Sequence, residues 1–482
     1  MTKSIICGLL FFLGLHAAQT PDVLFIAVDD LNDWAGPLGG NPQAKTPNID
    51  RLAQRGMVFT NAHAAAPGCN PSRTALMTGV RPSTSGVYNN AHDWRLAKTL
   101  EGVPTIPRHF RDHGYDARGA GKIFHAHSLN PLGFEGYNDP NGWDEFYPAI
   151  TRQLPAEVRP SRWPIRGSEK FYGGAFDWAP VAVEEWAMGD AQVVAWAEKQ
   201  LARKRSKPRF LAVGIYRPHI PWYVPQKYFD LYPLEDIVLP KTIAGDLHDI
   251  PDAGKAFARR HWQQWVVENN EWKRAVQGYL ASMTFADAMV GRLLDALRRS
   301  GREKRTIVVL WSDHGYHLGH KEHWEKFALW EQATRVPLII RAPGLTKAGT
   351  SSAEPVSLMD VYPTLCALTG LSIPEHVEGH SLAPLLKNPS SKWEHVALST
   401  HELNNHAVRD RRYRYIRYEN GSGELYDHEN DPLEWRNLAG EQSLREVIER
   451  LSAHLPTRNA QNAPRDPRRG PPPPRTSAAP SQ

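Results

Sequence analysis

The chain runs to 482 residues, 41% of them apolar and 23% charged, the balance of a soluble globular protein with room for one large domain and a smaller one. Its formal charge of +5 is modest and much of the excess sits near the end of the chain, so nothing argues for nucleic-acid binding; an anionic substrate is allowed but not implied. Three cysteines are too few for a disulfide framework.

Lys3, the apolar run from Ile5 to Leu15 and the small-residue stretch His16-Ala17-Ala18-Gln19 read as a cleaved secretory signal over residues 1–19. The run is too short for a comfortable membrane span, and no later segment is long and apolar enough. The expected location is secreted or periplasmic, with no stable membrane insertion after cleavage. Cys7 would leave with the signal, so Cys69 and Cys366 would remain.

Val23-Leu24-Phe25-Ile26-Ala27-Val28 is a continuous apolar run, as a strand buried on both faces requires. It ends at Asp29-Asp30. Phe210-Leu211-Ala212-Val213-Gly214-Ile215 is a second such run, ending near Arg217-Pro218-His219. Thr306-Ile307-Val308-Val309-Leu310-Trp311 is a third, ending at Ser312-Asp313-His314-Gly315. Each run delivers polar chemistry at its C-terminal end, where open α/β sheets place their sites. Leu280, Met283, Val290, Leu293, Leu294 and Leu297 share one helical face, stopped by Ser300-Gly301. Val361 to Leu371 reads as another helix. The alternation predicts an α/β domain over residues 22–386 with a large, mostly parallel central sheet flanked by helices.

Beyond Leu386 the texture changes. Val396 to Ser399 and Tyr413 to Tyr418 alternate like half-exposed antiparallel strands, with a turn at Gly421-Ser422-Gly423. A small α+β subdomain with an antiparallel sheet is expected over residues 387–458, closing on a helix from about Ser443 to Leu455. The Pro- and Arg-rich residues 459–482 read as a disordered tail.

Asp29 and Asp30 are adjacent carboxylates that repel unless a cation neutralises them; a solvated loop or a helix cap shows the same pair. Asp313-His314 at another strand end makes a cation site coherent. Its mainly oxygen donors point to Ca²⁺ or Mg²⁺ rather than structural zinc. Arg73 lies one helical turn beyond Cys69, where a guanidinium fork suits a nucleophile and an ion cluster. Lys122 with His125, His219, and Lys326 after Trp324 offer further cations and imidazoles. Taken singly, each reads as readily as a structural residue. His317, His320 and His323 suggest zinc by spacing, but suit the rim of a loop as well. Trp143, Trp163, Trp178, Trp186, Trp222, Trp262 and Trp265 would suit sugar faces, with core and lid packing the favoured reading for any one of them.

The run Cys69-Asn70-Pro71-Ser72-Arg73, continued through Thr74-Ala75-Leu76-Met77-Thr78-Gly79, resembles the signature of the type I, formylglycine-dependent sulfatases. Asp29-Asp30, this run, Gly121-Lys122 with His125, Pro218-His219, Asp313-His314 and Trp324 with Lys326 follow that family's order, over roughly Asp22 to Leu386. Val213-Gly214-Ile215-Tyr216-Arg217-Pro218-His219-Ile220-Pro221 and Ser312-Asp313-His314-Gly315 look most like the iduronate-2-sulfatase branch. The segment Gly319-His320-Lys321-Glu322-His323 departs from the Gly-Glu-His of that branch, which puts iduronate itself in doubt.

The resemblance implies an alkaline-phosphatase-like fold and hydrolysis of sulfate esters, with a sulfated carbohydrate as the substrate. It implies that a formylglycine-generating enzyme oxidises Cys69 to formylglycine during maturation. It also implies a cation, calcium rather than magnesium, held by Asp29, Asp30, the residue at Cys69, Asp313 and His314. Lys122 and Lys326 would counter charge on the sulfuryl and leaving oxygens. His219 would protonate the departing alcohol, and His125 would take a proton from the hydrated aldehyde. Competing readings are a phosphate or phosphonate monoester hydrolase of the same superfamily, and a sulfated-glycan-binding protein without catalysis.

Overall fold

A computed structural model describes residues 20–126, 136–162, 164–165, 171 and 174–467. The signal over residues 1–19 and the aromatic at Trp163 fall outside them. The main sheet takes β1 (Asp22–Val28), β2 (Met57–Phe59), β3 (Asp116–Gly121), β4 (Glu145–Tyr147), β5 (Arg209–Ile215), β6 (Thr306–Ser312), β7 (Leu338–Arg341) and β8 (Thr350–Ser352). Their spatial order is β8-β2-β7-β6-β1-β5-β3-β4. β1 lies parallel between β5 and β6, with Val28 opposite both Ile215 and Ser312. β7 is the exception, antiparallel to both β6 and β2.

The apolar runs are continuous because both faces of the sheet are covered. Leu24, Ile26 and Val28 enter one core, while Val23, Phe25 and Ala27 enter the other. The first core lies under α4 (Trp272–Arg299), a helix with 28 residues, and α3 (Gly189–Ala202). The second takes Leu76 and Met77 of α2 (Cys69–Thr78) and Leu365 of α5 (Val361–Thr369). α1 (Pro47–Ala53) completes the helices used below. No helix among the described residues is long and apolar enough to cross a membrane.

β9 (Ala397–Thr400), β10 (His406–Arg409), β11 (Tyr413–Arg417) and β12 (Gly423–Asp427) form a separate antiparallel sheet in chain order. Helix α6 (Arg445–Ser452) follows, with Leu451 packed on Val408, Tyr415 and Leu425.

One expectation needs correction. Residues 459–467, assigned by composition to a disordered tail, are fixed along the large domain. Ala460 N donates to Ser83 O at 2.7 Å, Ala463 N to Gly86 O at 2.8 Å, and Asp466 N to Ala91 O at 2.9 Å. Backbone pairing needs no apolar side chains, so composition is blind to it.

Candidate active site

Two parallel strands bring the carboxylates together. Because β1 and β6 run in register, Asp29-Asp30 and Asp313-His314 leave the same sheet edge. Asp30 adopts φ 58, a left-handed turn that folds the chain back over the strand end. Asp30 N donates to Asp313 Oδ1 at 3.2 Å and Leu31 N to Ser312 Oγ at 2.9 Å. Tyr279 of α4 donates its hydroxyl to Asp30 O at 2.8 Å. β3 ends on Gly121, φ 71, where a Cβ would collide with the Gly214 carbonyl; this close approach lets Lys122 enter the site.

Cys69 opens α2, whose N-cap Gly68 is extended. Arg73, one turn later, is wholly buried and spans the cluster. Its Nη2 meets Asp29 Oδ1 at 2.8 Å and its Nε meets Asp313 Oδ2 at 2.8 Å. Its Nη1 donates to the carbonyls of Lys122 and Ile123. Lys122 pairs with Asp29, and Lys326 Nζ lies 2.8 and 2.9 Å from the oxygens of Asp30. Three cations thus face three carboxylates, all of them buried.

His314 Nδ1 donates to Gly315 O at 2.9 Å, which leaves a lone pair on Nε2. That atom lies 3.4 Å from Asp30, 3.5 Å from Asp313 and 3.2 Å from Cys69 Sγ. Ligand atoms of Asp29, Cys69, Asp313 and His314 all fall within 4.8 Å of one another, and so do those of Asp30, Cys69 and His219. Oxygen-rich, anionic and converging, this set fits a hard divalent cation.

The electrostatics support that fit. Burial, opposed by Lys326 and reinforced by Asp29, pushes Asp30 up to about 6. Burial also raises Asp29 against the pull of Lys122. Burial works against Asp313 as well, but the Arg73 guanidinium holds it well below the ordinary carboxylate range. The Cys69 thiol is driven up to about 12 by burial, despite Lys122 and Lys326. Before any cation binds, an unmodified thiol here stays protonated and is a poor nucleophile.

The structure brings Asp29, Asp30, Cys69, Arg73, Lys122, Asp313, His314, Lys326 and His219 into one cluster. His219 Nδ1 meets Ile220 O at 2.7 Å. His125 is buried beside Tyr137, ring centroids 5.8 Å apart, and does not join the ligand cluster. Ser72, Ser312 and Tyr279 escaped the sequence reading. Ser72, whose Oγ donates to Asp313 O at 2.5 Å, was within reach as part of the Cys69 run. Ser312 and Tyr279 carry no local signal.

The histidine triplet is not a zinc centre. Among the described residues it forms no three-ligand group. His323 spends both ring nitrogens, accepting from Arg259 N and donating to Lys326 O. The tryptophans are mainly packing. Trp178, Trp222, Trp262 and Trp265 join one core and Trp143 the other, whereas Trp186 is 75% exposed.

A mostly parallel sheet with acidic and cationic side chains gathered at the C-terminal ends of its strands is the arrangement that the alkaline-phosphatase-like resemblance implies. Comparison with known proteins settles the family. The sulfatase family model matches residues 21–371, and the model for the C-terminal part of N-sulphoglucosamine sulphohydrolase matches residues 319–461. A sulfatase of Formosa agariphila is 40% identical over 452 residues, covering 91% of this chain and 87% of that protein. Human iduronate 2-sulfatase is 31% identical over 399 residues, covering 73% and 70%. A solved structure of a protein in complex with its substrate D-glucosamine-2-N,6-O-disulfate superposes with a TM-score of 0.70 at 20% identity, covering 90% and 96%. The chain belongs to the sulfatase family. It is a sulfuric ester hydrolase, and its relationship to the iduronate 2-sulfatases agrees with the branch resemblance.

Proposed function

We propose that this protein removes O-sulfate groups from a sulfated carbohydrate outside the cytoplasm, using formylglycine made from Cys69 and a bound calcium ion. The observation that carries the reading is the residue at position 69. Its side chain is buried among Asp29, Asp313 and His314, at the centre of the candidate ligand set, where an oxygen nucleophile would meet both the cation and a bound sulfate ester. A hydrated aldehyde there would supply an oxygen nucleophile, and could expel sulfate by collapsing back to the aldehyde. Calcium would be held by Asp29, Asp30, Asp313 and His314 and would polarise the sulfuryl group.

The chain's own residues then divide the work. Arg73 fixes Asp29 and Asp313 at a set separation through its two ends. Lys122 and Lys326 place positive charge beside the cluster, where it offsets charge developing on sulfuryl and leaving oxygens. His219 groups with Asp30 and residue 69 and would protonate the departing alcohol. His125, which stands outside the ligand cluster, would take a proton from the hydrate. A solved structure of the same fold carries a sulfated glucosamine as its substrate, and this, with the kinship to iduronate 2-sulfatases, supports a sugar.

The test is to co-express the chain with a formylglycine-generating enzyme and weigh the tryptic peptide from Gly56 to Arg73. An aldehyde or its hydrate at residue 69, together with sulfate release from sulfated sugars, is the expected result. An unmodified thiol, in cells that convert a control sulfatase, would refute the formylglycine reading.

A further inference from the structure

A cleft of about 520 Å³ opens beside the catalytic cluster. Its walls adjoin residue 69 from two directions. Phe327 follows Lys326, and a Cβ at Gly68 would come within 3.2 Å of its ring. Asn90 Oδ1 accepts from the amide of Asn70 at 2.9 Å, one residue past Cys69. A substrate whose sulfate reaches residue 69 leaves its remaining bulk here, and the volume suits a sugar ring or two.

Two arginines line this cleft, Arg259 and Arg465. Arg259 Nε lies 3.3 Å from Glu325, and its guanidinium sits over Phe327 at 5.2 Å. His323 joins the Arg259 amide to the Lys326 carbonyl, at 2.8 Å on each side. The arginine and the catalytic-cluster lysine therefore share one anchor.

Arg465 arrives differently, on the segment whose composition suggests disorder. Asp93 N donates to Pro464 O at 2.9 Å and Asp466 N to Ala91 O at 2.9 Å, which sets Arg465 opposite His92. Its Nε is buried and has no hydrogen-bond partner among the described residues. No carboxylate among them pairs with it either. Glu402, the acid of the cleft, instead accepts from Asn89 Nδ2 at 3.1 Å. Burial and Arg259 hold His401 down to about 3, so it is neutral and the two arginines supply the positive charge. A buried guanidinium N–H without an acceptor is costly, and the rest of this guanidinium belongs to a residue that lines the cleft.

The geometry points to an anion subsite at Arg465, backed by Arg259, that binds a second oxyanion of the substrate, either a carboxylate or a further sulfate. It rests on the carbohydrate reading and narrows it to polyanionic sugars. Arg465 sets specificity and lies outside the reacting cluster.

The test uses the full chain with its thiol unconverted, so that binding is read without turnover. Calorimetry compares two matched pairs: a sulfated uronate methyl glycoside against its carboxamide, and disulfated against monosulfated glucosamine. Wild type should favour the more anionic member of at least one pair by roughly tenfold or more. The pair that responds identifies the source of the anion. Arg465→Ala should erase that preference while binding the less anionic member within about twofold of wild type, and Arg465→Lys should keep part of it. Converted Arg465→Ala should still turn over 4-nitrophenyl sulfate as wild type does. No preference in either pair, a preference that survives Arg465→Ala, or an equal loss on all four probes would overturn the subsite. If every sugar resists hydrolysis while the aryl ester is cleaved, the carbohydrate reading fails, and the binding preference still decides the subsite on its own.

Discussion

At the scale of single residues, the ionisation of Asp30 ties stability to the cation. Its carboxyl stands near 6 rather than at the ordinary 3.8, so without a cation the folded chain holds a proton that the unfolded chain releases. The sign follows: stability from this group is full below about pH 4 and is lost as pH rises through about 6, by at most roughly 3 kcal/mol. A bound divalent cation reverses the preference by favouring the carboxylate, and protons compete with it. The melting temperature with calcium, minus that with a chelator, should therefore grow from pH 5 to pH 7 and then level off. Asp30→Asn should flatten this difference. A chelator without effect on melting at pH 7.5 would mean that the cluster is closed by Lys122, Lys326 and Arg73 alone. The ligands were legible in the sequence because each ends an apolar run. The pairings of Lys122 with Asp29 and Lys326 with Asp30 were not, since they depend on the approach of segments 93 and 296 residues apart.

At the scale of elements, α1 shows how a short helix is held. It begins at Pro47, which needs no N–H partner, but its N-cap Thr46 makes no side-chain cap. The free amides are taken instead by Asp287 of α4, which accepts from Asn48 N at 3.0 Å and Ile49 N at 2.8 Å, and from Asn48 Nδ2 at 2.8 Å. Burial lifts Asp287 to about 6 against these same bonds. Asp287→Ala should cost about 1–3 kcal/mol, seen as a lower midpoint in urea, and Asp287→Asn should cost less because one acceptor oxygen remains. No shift in the midpoint would remove Asp287 as the cap. This tertiary cap is invisible to local capping signals, which look only at Thr46 and its neighbours. Strands β1, β5 and β6 were legible for the opposite reason: burial on both faces writes itself into composition. The antiparallel sense of β7 was not, because Leu338-Ile339-Ile340 reads the same in either direction, and Thr350-Ser351-Ser352 in β8 is too polar to announce a strand.

At the scale of the whole molecule, the small sheet steadies the catalytic edge of the large one. Arg414 of β11 is 1% exposed in its side chain and reaches across to Glu331, while its Nε lies 2.8 Å from Glu434. Its Nη1 donates to Leu329 O at 3.1 Å. Glu331 N donates to Glu434 Oε2 at 2.9 Å, and His428 Nε2 lies 3.0 Å from Glu434. Lys321 adds a second anchor through Asp246 at 2.7 Å and the Glu434 carbonyl. The stretch from Lys321 to Glu331 carries Lys326, so both of its ends are tied to the C-terminal part of the chain. Removing Arg414 leaves two buried glutamates facing each other without their main cation. Arg414→Leu should therefore cost about 3–5 kcal/mol. Because Lys326 loses its support, kcat on a small aryl sulfate should fall more than calcium affinity. Adding Glu331→Gln to Arg414→Leu should recover part of the lost stability, since the charge left stranded is removed along with its partner. Denaturant unfolding of the single and double variants measures both effects. Additive losses would mean that the two side chains act separately, and that the small sheet does not hold the lysine through this pair.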